Sequence, residues 1–292
     1  MMERDLTEQF EQYRTHMQRV AYRMLGSLDE AEDAVQEAWL RLNRSDTSAV
    51  ENLRGWLTTV ISRVCLDMLR ARRTRNLELT GTDSETSYGP EGGSDPEQEA
   101  ILADSVGLAM LVVLETLSPA ERVAFVLHDM FAIPFEDIAP IVGRSVPGAR
   151  QLASRGRRRV YGASPLPEHD RKRQREVVDA FLAASRNGDF EALLALLDPE
   201  VVFRADGAAS PSGRATEILG ARGVARSAVA FADRAQFSRA VLVNGSVGII
   251  IAPRGRLFAV VRVRIVRDKI VEMDLISEPG RLQTVDVAVL DG

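Results

Sequence analysis

Cysteine is nearly absent from this sequence: Cys65 stands alone, so no internal disulfide can form. The three histidines, His16, His128 and His169, are too scattered to supply a zinc site. No apolar run approaches the roughly 20 residues that a membrane-spanning helix requires. The N-terminus, MMERDLTEQF, lacks the basic-then-apolar pattern of a secretory signal. These absences lead to the expectation of a cytoplasmic chain with no metal, no cofactor and no membrane partner. Cys65 falls on the apolar side of a predicted helix with Ile61, Met68 and Leu69, which reads as buried filler rather than a nucleophile.

What is present suffices for several cores. A chain of 292 residues, 45% hydrophobic and 27% charged, fits two or three soluble domains. Its net charge of −5 conceals a pattern. The stretch from Leu53 to Arg75 carries Arg54, Arg63, Arg70, Arg72, Arg73 and Arg75 against Asp67 alone. A second basic stretch, Ile138 to Pro165, holds Arg144, Arg150, Arg155, Arg157, Arg158 and Arg159 and no acid. Between them, residues 76–105 are acidic and free of bases. Two basic segments flanking an acidic one suit nucleic-acid contact better than the total suggests.

Periodicity predicts helices over about 6–25 and from Asp29 to Asn43, with Ser27 or Asp29 as cap, and a long one from Leu53 to Arg73. In the second helix Ala31, Ala34, Val35, Ala38 and Leu42 form a core stripe, while Asp33, Gln36, Glu37 and a bare Leu40 share the opposite face. The core stripe of the third helix is Trp56 or Leu57, then Val60, Val64 and Leu69. Trp56 is equally readable as core or as a surface on which an unpaired base stacks. Residues 76–95, rich in Gly, Ser, Thr and acid, read as a linker, followed by a helix over about 96–116. Ser118, Pro119 and Glu121 open another helix. FEDIAPIVG and SVPGARQLASRGRRRV then form two short helices about a turn at Gly143-Arg144, a helix-turn-helix pattern, with Pro140 expected to kink or shorten the first.

In the second of these helices Ala149, Ala153, Gly156 and Val160 turn inward, leaving Arg150, Gln151, Ser154, Arg155, Arg157 and Arg158 outside. Arginine, glutamine and serine read base edges and the remaining arginines suit phosphates. After a Pro-containing linker the texture changes. Helices over 171–186 and 190–197 precede the strand EVVFRAD, a helix around 221–235 and a strand meander through FSRAVLV, VGIIIA, LFAVVRVRIV and IVEMDLIS, an α+β domain.

GSLDEAEDAVQEAWLRL, LRGWLTTVISRVCLDMLRARR and LSPAERVAFVLHDMFAIPFEDIAPIVGRS, in that order, resemble bacterial sigma factors of the extracytoplasmic-function type. The third domain resembles the SnoaL-like branch of the NTF2-like fold, and the combination is similar to the SigJ-type subgroup. The fold class implied is multidomain: two all-α sigma domains, the second with a helix-turn-helix, then an α+β NTF2-like cone domain. The corresponding boundaries are 1–75 for sigma domain two, 76–99 for an acidic linker, 100–161 for sigma domain four, 162–170 for a second linker and 171–292 for the appended domain.

The resemblance implies a non-enzymatic initiation factor whose partners are core RNA polymerase, through its clamp helices and flap, and promoter DNA. By position, Asp33, Gln36, Glu37 and Leu40 resemble the clamp-gripping surface, and the loop 44–52 the one that captures a flipped -10 base. Contacts to the -10 element fall to Asn52, Arg54, Trp56, Arg63, Arg70, Arg72 and Arg73, and contacts to the -35 element to Arg144, Arg150, Gln151, Ser154, Arg155 and Arg158. The acidic linker would occupy the channel toward the polymerase active centre. In the SigJ-type subgroup the appended domain regulates in cis; typical members carry Trp-Leu-Pro-Glu-Pro and Asp-Gly-Gly-Gly, where this chain has Pro165-Leu166-Pro167-Glu168 and Asp206-Gly207-Ala208-Ala209. Arg204, Asp206, Gly207 and Arg222 are the residues expected at a pocket or regulatory contact, with a small-molecule ligand left open. The alternatives are an NTF2-like sensor or enzyme with attached DNA-binding domains, or a plain helix-turn-helix repressor, which gives the clamp-like helix no purpose.

Overall fold

The computed structural model describes residues 2–45, 50, 52–79, 107–162, 164–209 and 213–290. The described residues fall into two compact units, one of the N-terminal helices with Leu114–Arg157, the other of Gly107–Val113 with the chain from Arg158 onward.

The first unit is helical. Helix α1 (Met2–Leu25) ends at Gly26, whose φ of +79° is open to glycine at little strain. Ser27 then caps α2 (Leu28–Arg44) by accepting the Glu30 N–H at 3.4 Å. Ala31, Ala34, Val35, Ala38 and Leu42 are buried, as their spacing requires. Helix α3 (Leu53–Leu79) starts where Asn52 Oδ1 accepts the Gly55 N–H at 3.0 Å. Its stripe is Leu57, Ile61, Val64, Cys65 and Leu69, all buried; Trp56 and Val60 are half-buried at its margin. Burial pushes the Cys65 thiol up to about 12, so it stays protonated and inert.

The helix continues six residues past the expected end at Arg73, since Leu77, Glu78 and Leu79 are good helix formers. The rest of the acidic linker, residues 80–99, and residues 100–106 lie outside the described residues, as do residues 46–49 and 51 of the loop assigned to a flipped -10 base.

Helix α4 (Leu108–Glu115), most of which belongs to the second unit, is apolar up to Glu115, with Leu108 and Leu111–Leu114 buried. Helix α5 (Pro119–Phe125) opens with a reciprocal capping box, Ser118 Oγ accepting the Glu121 N–H at 3.4 Å and Glu121 accepting the Ser118 N–H at 3.2 Å. A π-helical turn, Val126–Met130, leads to α6 (Phe135–Val142). Pro140 does not shorten α6: it lies on the exposed side, and Glu136, whose carbonyl loses a donor, faces water too. Gly143 closes α6 at φ +67° with the Arg144 N–H on the Ala139 carbonyl at 3.0 Å, and α7 (Val146–Tyr161) follows.

Within this unit α3 packs on α5 and α6. Arg72 donates to Glu115 at 3.1 Å and lies 3.8 Å from Glu30. Arg122, fully buried beside this group, is pushed down to about 10, by burial above all and by Arg72, against the pull of Glu115 and Glu30.

His16 of α1 lies 3.2 Å from the Thr58 hydroxyl and edge-on to Phe131 at 5.8 Å, with Arg23 over the same ring. Its pKa is lowered from 6.5 by burial, then by Arg54 and Arg19. As pH falls below 6.5 the unfolded chain binds the proton before the folded one does, so stability declines with acidification in that window. The thermal midpoint of His16→Gln is therefore expected to fall less than wild type between about pH 7 and pH 5. Parallel declines would refute the assignment.

The second unit pairs helices with a mixed sheet. Helix α8 (Glu168–Asn187) ends at Gly188 in the left-handed region, and α9 (Phe190–Leu196) is capped by Asp189. The strands are β1 (Leu197–Ala205), β2 (Thr216–Leu219), β3 (Ser238–Val243), β4 (Ser246–Ile251), β5 (Ala259–Val266), β6 (Lys269–Ile276) and β7 (Val287–Ala288). Between β2 and β3 come α10 (Ala221–Ala230) and α11 (Ala232–Ala235), and α12 (Pro279–Leu282) follows β6. The sheet order is β2-β1-β6-β5-β4-β3-β7, with β1 and β6 parallel and every other pair antiparallel. Val178, Leu193, Val201, Ala225 and Ile270 lie at the heart of the core between helices and sheet. The short edge strands β2 and β7 are additions to the expected meander, and the helix expected over 221–235 breaks at Phe231.

Candidate nucleic-acid and polymerase interfaces and the C-terminal cavity

The outer face of α2 is as mixed as its sequence. Asp33 and Gln36 are exposed and Leu40 is 40% exposed, one of few large apolar side chains so placed among the described residues. Glu37 is half-buried and accepts from Arg41 at 2.8 Å on the same face.

Helical geometry divides the cations of α3. Arg63 and Arg70 are seven residues apart, within about 20° around the axis, and Arg73 lies close by. All three are exposed, Arg70 beside Asp67 at 3.8 Å. Arg54 and Arg72 lie diametrically opposite Arg63. Arg72 thus turns to Glu115 and Glu30 instead of the surface expected to meet the -10 element, because its angular position faces the neighbouring helices. Asn52 serves as the cap of α3, and Trp56 is half-buried at its start.

Helix α7 places its predicted inner residues, Ala149, Ala153, Gly156 and Val160, in the core. Gly156 permits this closeness: a β-carbon there would stand 3.0 Å from Phe125 Cβ and 3.3 Å from the Glu121 carbonyl. Arg144, Arg150, Gln151, Ser154, Arg155 and Arg158 are all exposed. Arg150 lies 3.7 Å from Glu136 and over the Phe135 ring, Arg155 lies 3.6 Å from Glu121, and Arg157 donates to Asp129 at 2.7 Å. The Arg150–Glu136 pair is exposed on both sides, worth about 0–1 kcal/mol, and exchanges readily for phosphate or base acceptors, whereas Glu121 and Asp129 are largely covered. The last turn of α7 belongs to the second unit, where the Val289 N–H, just after β7, donates to the Val160 carbonyl at 2.7 Å. Gly162 packs so close to Ala288 that a β-carbon would stand 2.6 Å from it.

In the second unit a cavity of about 260 Å³ opens between the sheet and helices α8, α10 and α11. Phe203 and Ala205 of β1 line it. The residue between them, Arg204, points to the other face because strand side chains alternate. There it pairs with Glu217 at 2.8 Å and Glu272 at 2.6 Å in a ladder that continues to Arg264 and, through Asp274, to Arg262. Arg264, then Arg204, hold the Glu272 carboxyl below its usual range.

Asp206 also misses the cavity. Its carboxylate accepts from the Ser277 and Glu278 N–H groups at 2.9 and 3.0 Å and from the Ser277 hydroxyl at 2.6 Å, with Arg281 at 3.7 Å. It is a brace for the chain leaving β6. Gly207 lets its turn pass the Gly213 carbonyl, 2.6 Å from where a β-carbon would be. Arg222 borders a separate shallow depression near Pro199 and Leu219. The four residues expected at a pocket therefore do not line this one, since expectation followed an Asp-Gly loop and the hollow formed one strand position away. Phe231 and Arg234, three residues apart where α11 begins, do line it.

The order of elements agrees with known families. Residues 9–75 match Sigma-70 region 2 and residues 108–160 match Sigma-70, region 4. The ECF RNA polymerase sigma factor SigJ of Mycobacterium tuberculosis is 38% identical over 257 residues, 82% of this chain and 79% of the relative. The probable ECF RNA polymerase sigma factor SigI of the same species is 39% identical over 198 residues, 66% and 67% of the two chains. The crystal structure of Mycobacterium tuberculosis SigJ covers 94% of this chain and 98% of its own at 34% identity and a TM-score of 0.47. Two helical regions in the order two then four, a helix-turn-helix in the second and an α+β unit behind it complete the assignment: the chain belongs to the extracytoplasmic-function RNA polymerase sigma factors, in the SigJ-type group with an α+β C-terminal domain.

Proposed function

We propose that this chain is a non-enzymatic, cytoplasmic initiation factor that joins core RNA polymerase through Asp33, Gln36, Glu37 and Leu40. It meets the -10 element through α3, with Arg63, Arg70 and Arg73 as one basic face, and reads the -35 element through α7. In holoenzyme it sits on the nucleoid. The observation that carries the reading is the sorting of α7: a buried Ala149, Ala153, Gly156 and Val160 edge holds Arg150, Gln151, Ser154 and Arg155 outward together. Arg150→Ala and Arg155→Ala are each expected to lose about 1–3 kcal/mol of -35 discrimination. Run-off transcription with core polymerase on matched and scrambled -35 promoters measures it, and equal output from both promoters with wild type would sink the assignment.

The C-terminal domain acts in cis in this reading. What supports it is continuity, since the last turn of α7 and the segment after β7 belong to one compact unit and share the Val289–Val160 hydrogen bond of 2.7 Å. Val289→Pro removes that donor and leaves every sigma motif intact. It is expected to shift run-off output about threefold, the effect of one hydrogen bond. Unchanged output would count against regulation by this route.

A further inference from the structure

We propose that the cavity of the C-terminal domain binds a small amphipathic acid, an apolar body with a single carboxylate that meets Arg234. The inference deepens the cis-regulatory reading by naming what the domain senses, and it rests on that reading for its consequence.

The lining is strongly apolar. Phe181, Phe203, Ile249 and Met273 are among its walls, and among the described residues its polar side chains are four hydroxyls and one arginine. Two of the hydroxyls donate inside the protein, Ser185 to the Phe181 carbonyl at 2.8 Å and Ser238 to the Arg234 carbonyl at 3.1 Å. Water needs two to four polar partners to be held well. Water in this hollow is therefore poorly held, and its displacement by an apolar body is favourable. The volume of 260 Å³ equals the share of about nine liquid waters, which admits a molecule on the order of ten non-hydrogen atoms.

Charge selects the head group. Among the described residues lining the cavity, Arg234 is the one that carries a charge. It is exposed, as is Phe231 at 46%, so these two mark the opening. The guanidinium lies 5.2 Å from the Phe231 ring and 5.5 Å from the Phe258 ring, which fix it at the rim. Arg186 braces the same edge, donating to the Ala235 carbonyl at 3.0 Å and the Ser238 carbonyl at 2.8 Å. A planar guanidinium held at the mouth of an apolar hollow matches a carboxylate whose tail points inward.

The cavity also touches the strands next to the last turn of α7, which belongs to the same unit. Ser238 of β3 and Ile251 of β4 are paired and both line it, and β3 pairs in turn with β7 through Leu242 and Ala288. The segment after β7 supplies the Val289 N–H to Val160. A ligand that fills the cavity thus bears on the strand beside the last turn of α7.

Calorimetric titration of the full-length chain with 3-phenylpropionate, 3-phenylpropanol and 3-phenylpropylamine separates tail from charge. The acid is expected to bind at least tenfold tighter than the amine, with the alcohol between them. Arg234→Gln, a change at an exposed position, is expected to lower the affinity for the acid to that for the alcohol and leave the alcohol unaffected. Ala228→Phe, which fills the hollow, is expected to abolish binding of all three; if it does not fold, Arg234→Gln still decides the question. No binding by wild type at millimolar concentration, equal binding of acid and amine, or an unaltered acid affinity in Arg234→Gln would each overturn the proposal. Run-off transcription with and without the acid keeps the two readings apart. Binding without any change in transcription supports the site and removes its regulatory consequence, whereas failure to bind together with an altered output in Val289→Pro overturns the site and leaves cis regulation standing.

Discussion

Gly248→Val is expected to lower the thermal midpoint of the second unit by roughly 10 °C, from a loss of about 3 kcal/mol. Gly248 is buried in β4, paired with Val241 on one side and Arg262 on the other. A β-carbon there would stand 2.7 Å from Val243 Cγ2 and 2.7 Å from the Val261 carbonyl. The valine methyl can rotate away, but the carbonyl belongs to the adjacent strand and moves only if the ladder shifts. Gly280→Ala serves as the control, because nothing lies within 4 Å of its added carbon. Calorimetry of the full-length chain reads both. Equal midpoints for the two variants would show that the sheet yields at β4 and that this contact is not tight.

The second large effect concerns the opposite end of the chain. Asp33→Arg combined with Leu40→Arg is expected to weaken binding to core polymerase on the order of 100-fold, about 2.8 kcal/mol. The two residues are seven apart on α2, within about 20° around its axis. Both are exposed, so the fold should change by no more than about 0.5 kcal/mol. Glu37 is a poorer choice for the test, because it already holds Arg41 at 2.8 Å and its removal disturbs a local pair. Binding is followed by titrating core polymerase into labelled protein, with the helical signal as a check on folding. Undiminished affinity in a folded variant would remove this face from the docking surface.

How far the sequence could be read depended on the kind of information each feature needed. Burial along a helix follows from spacing alone, so every residue expected in the stripe of α2 and the inner edge of α7 is buried, with Leu28 and Leu152 joining them. Caps were equally legible, because Ser27, Ser118 and Gly188 act on groups within a few residues of themselves. The six arginines of α3 were not legible as a set. A basic run says how much charge is present, while the side it faces depends on angle and on where Glu115 and Glu30 arrive from elsewhere in the chain.

The C-terminal site illustrates the same limit. Asp206 looked chemical because it precedes a glycine in a loop, yet its oxygens accept from residues 71 and 72 positions away. The cavity gathers side chains from α8, β1–β6, α10 and α11, and no local pattern announces such a meeting.

The sequence by itself determined the family, the order of the helical regions, the turn at Gly143 and the outward face of α7, since all of these are written in neighbours along the chain. The tertiary structure decided which cations remain available on α3, where the hollow of the C-terminal domain opens and which residue guards it. It also decided that the end of α7 is hydrogen-bonded to the segment after β7. Those outcomes depend on groups brought together from distant positions, and distance along the chain carries no record of that encounter.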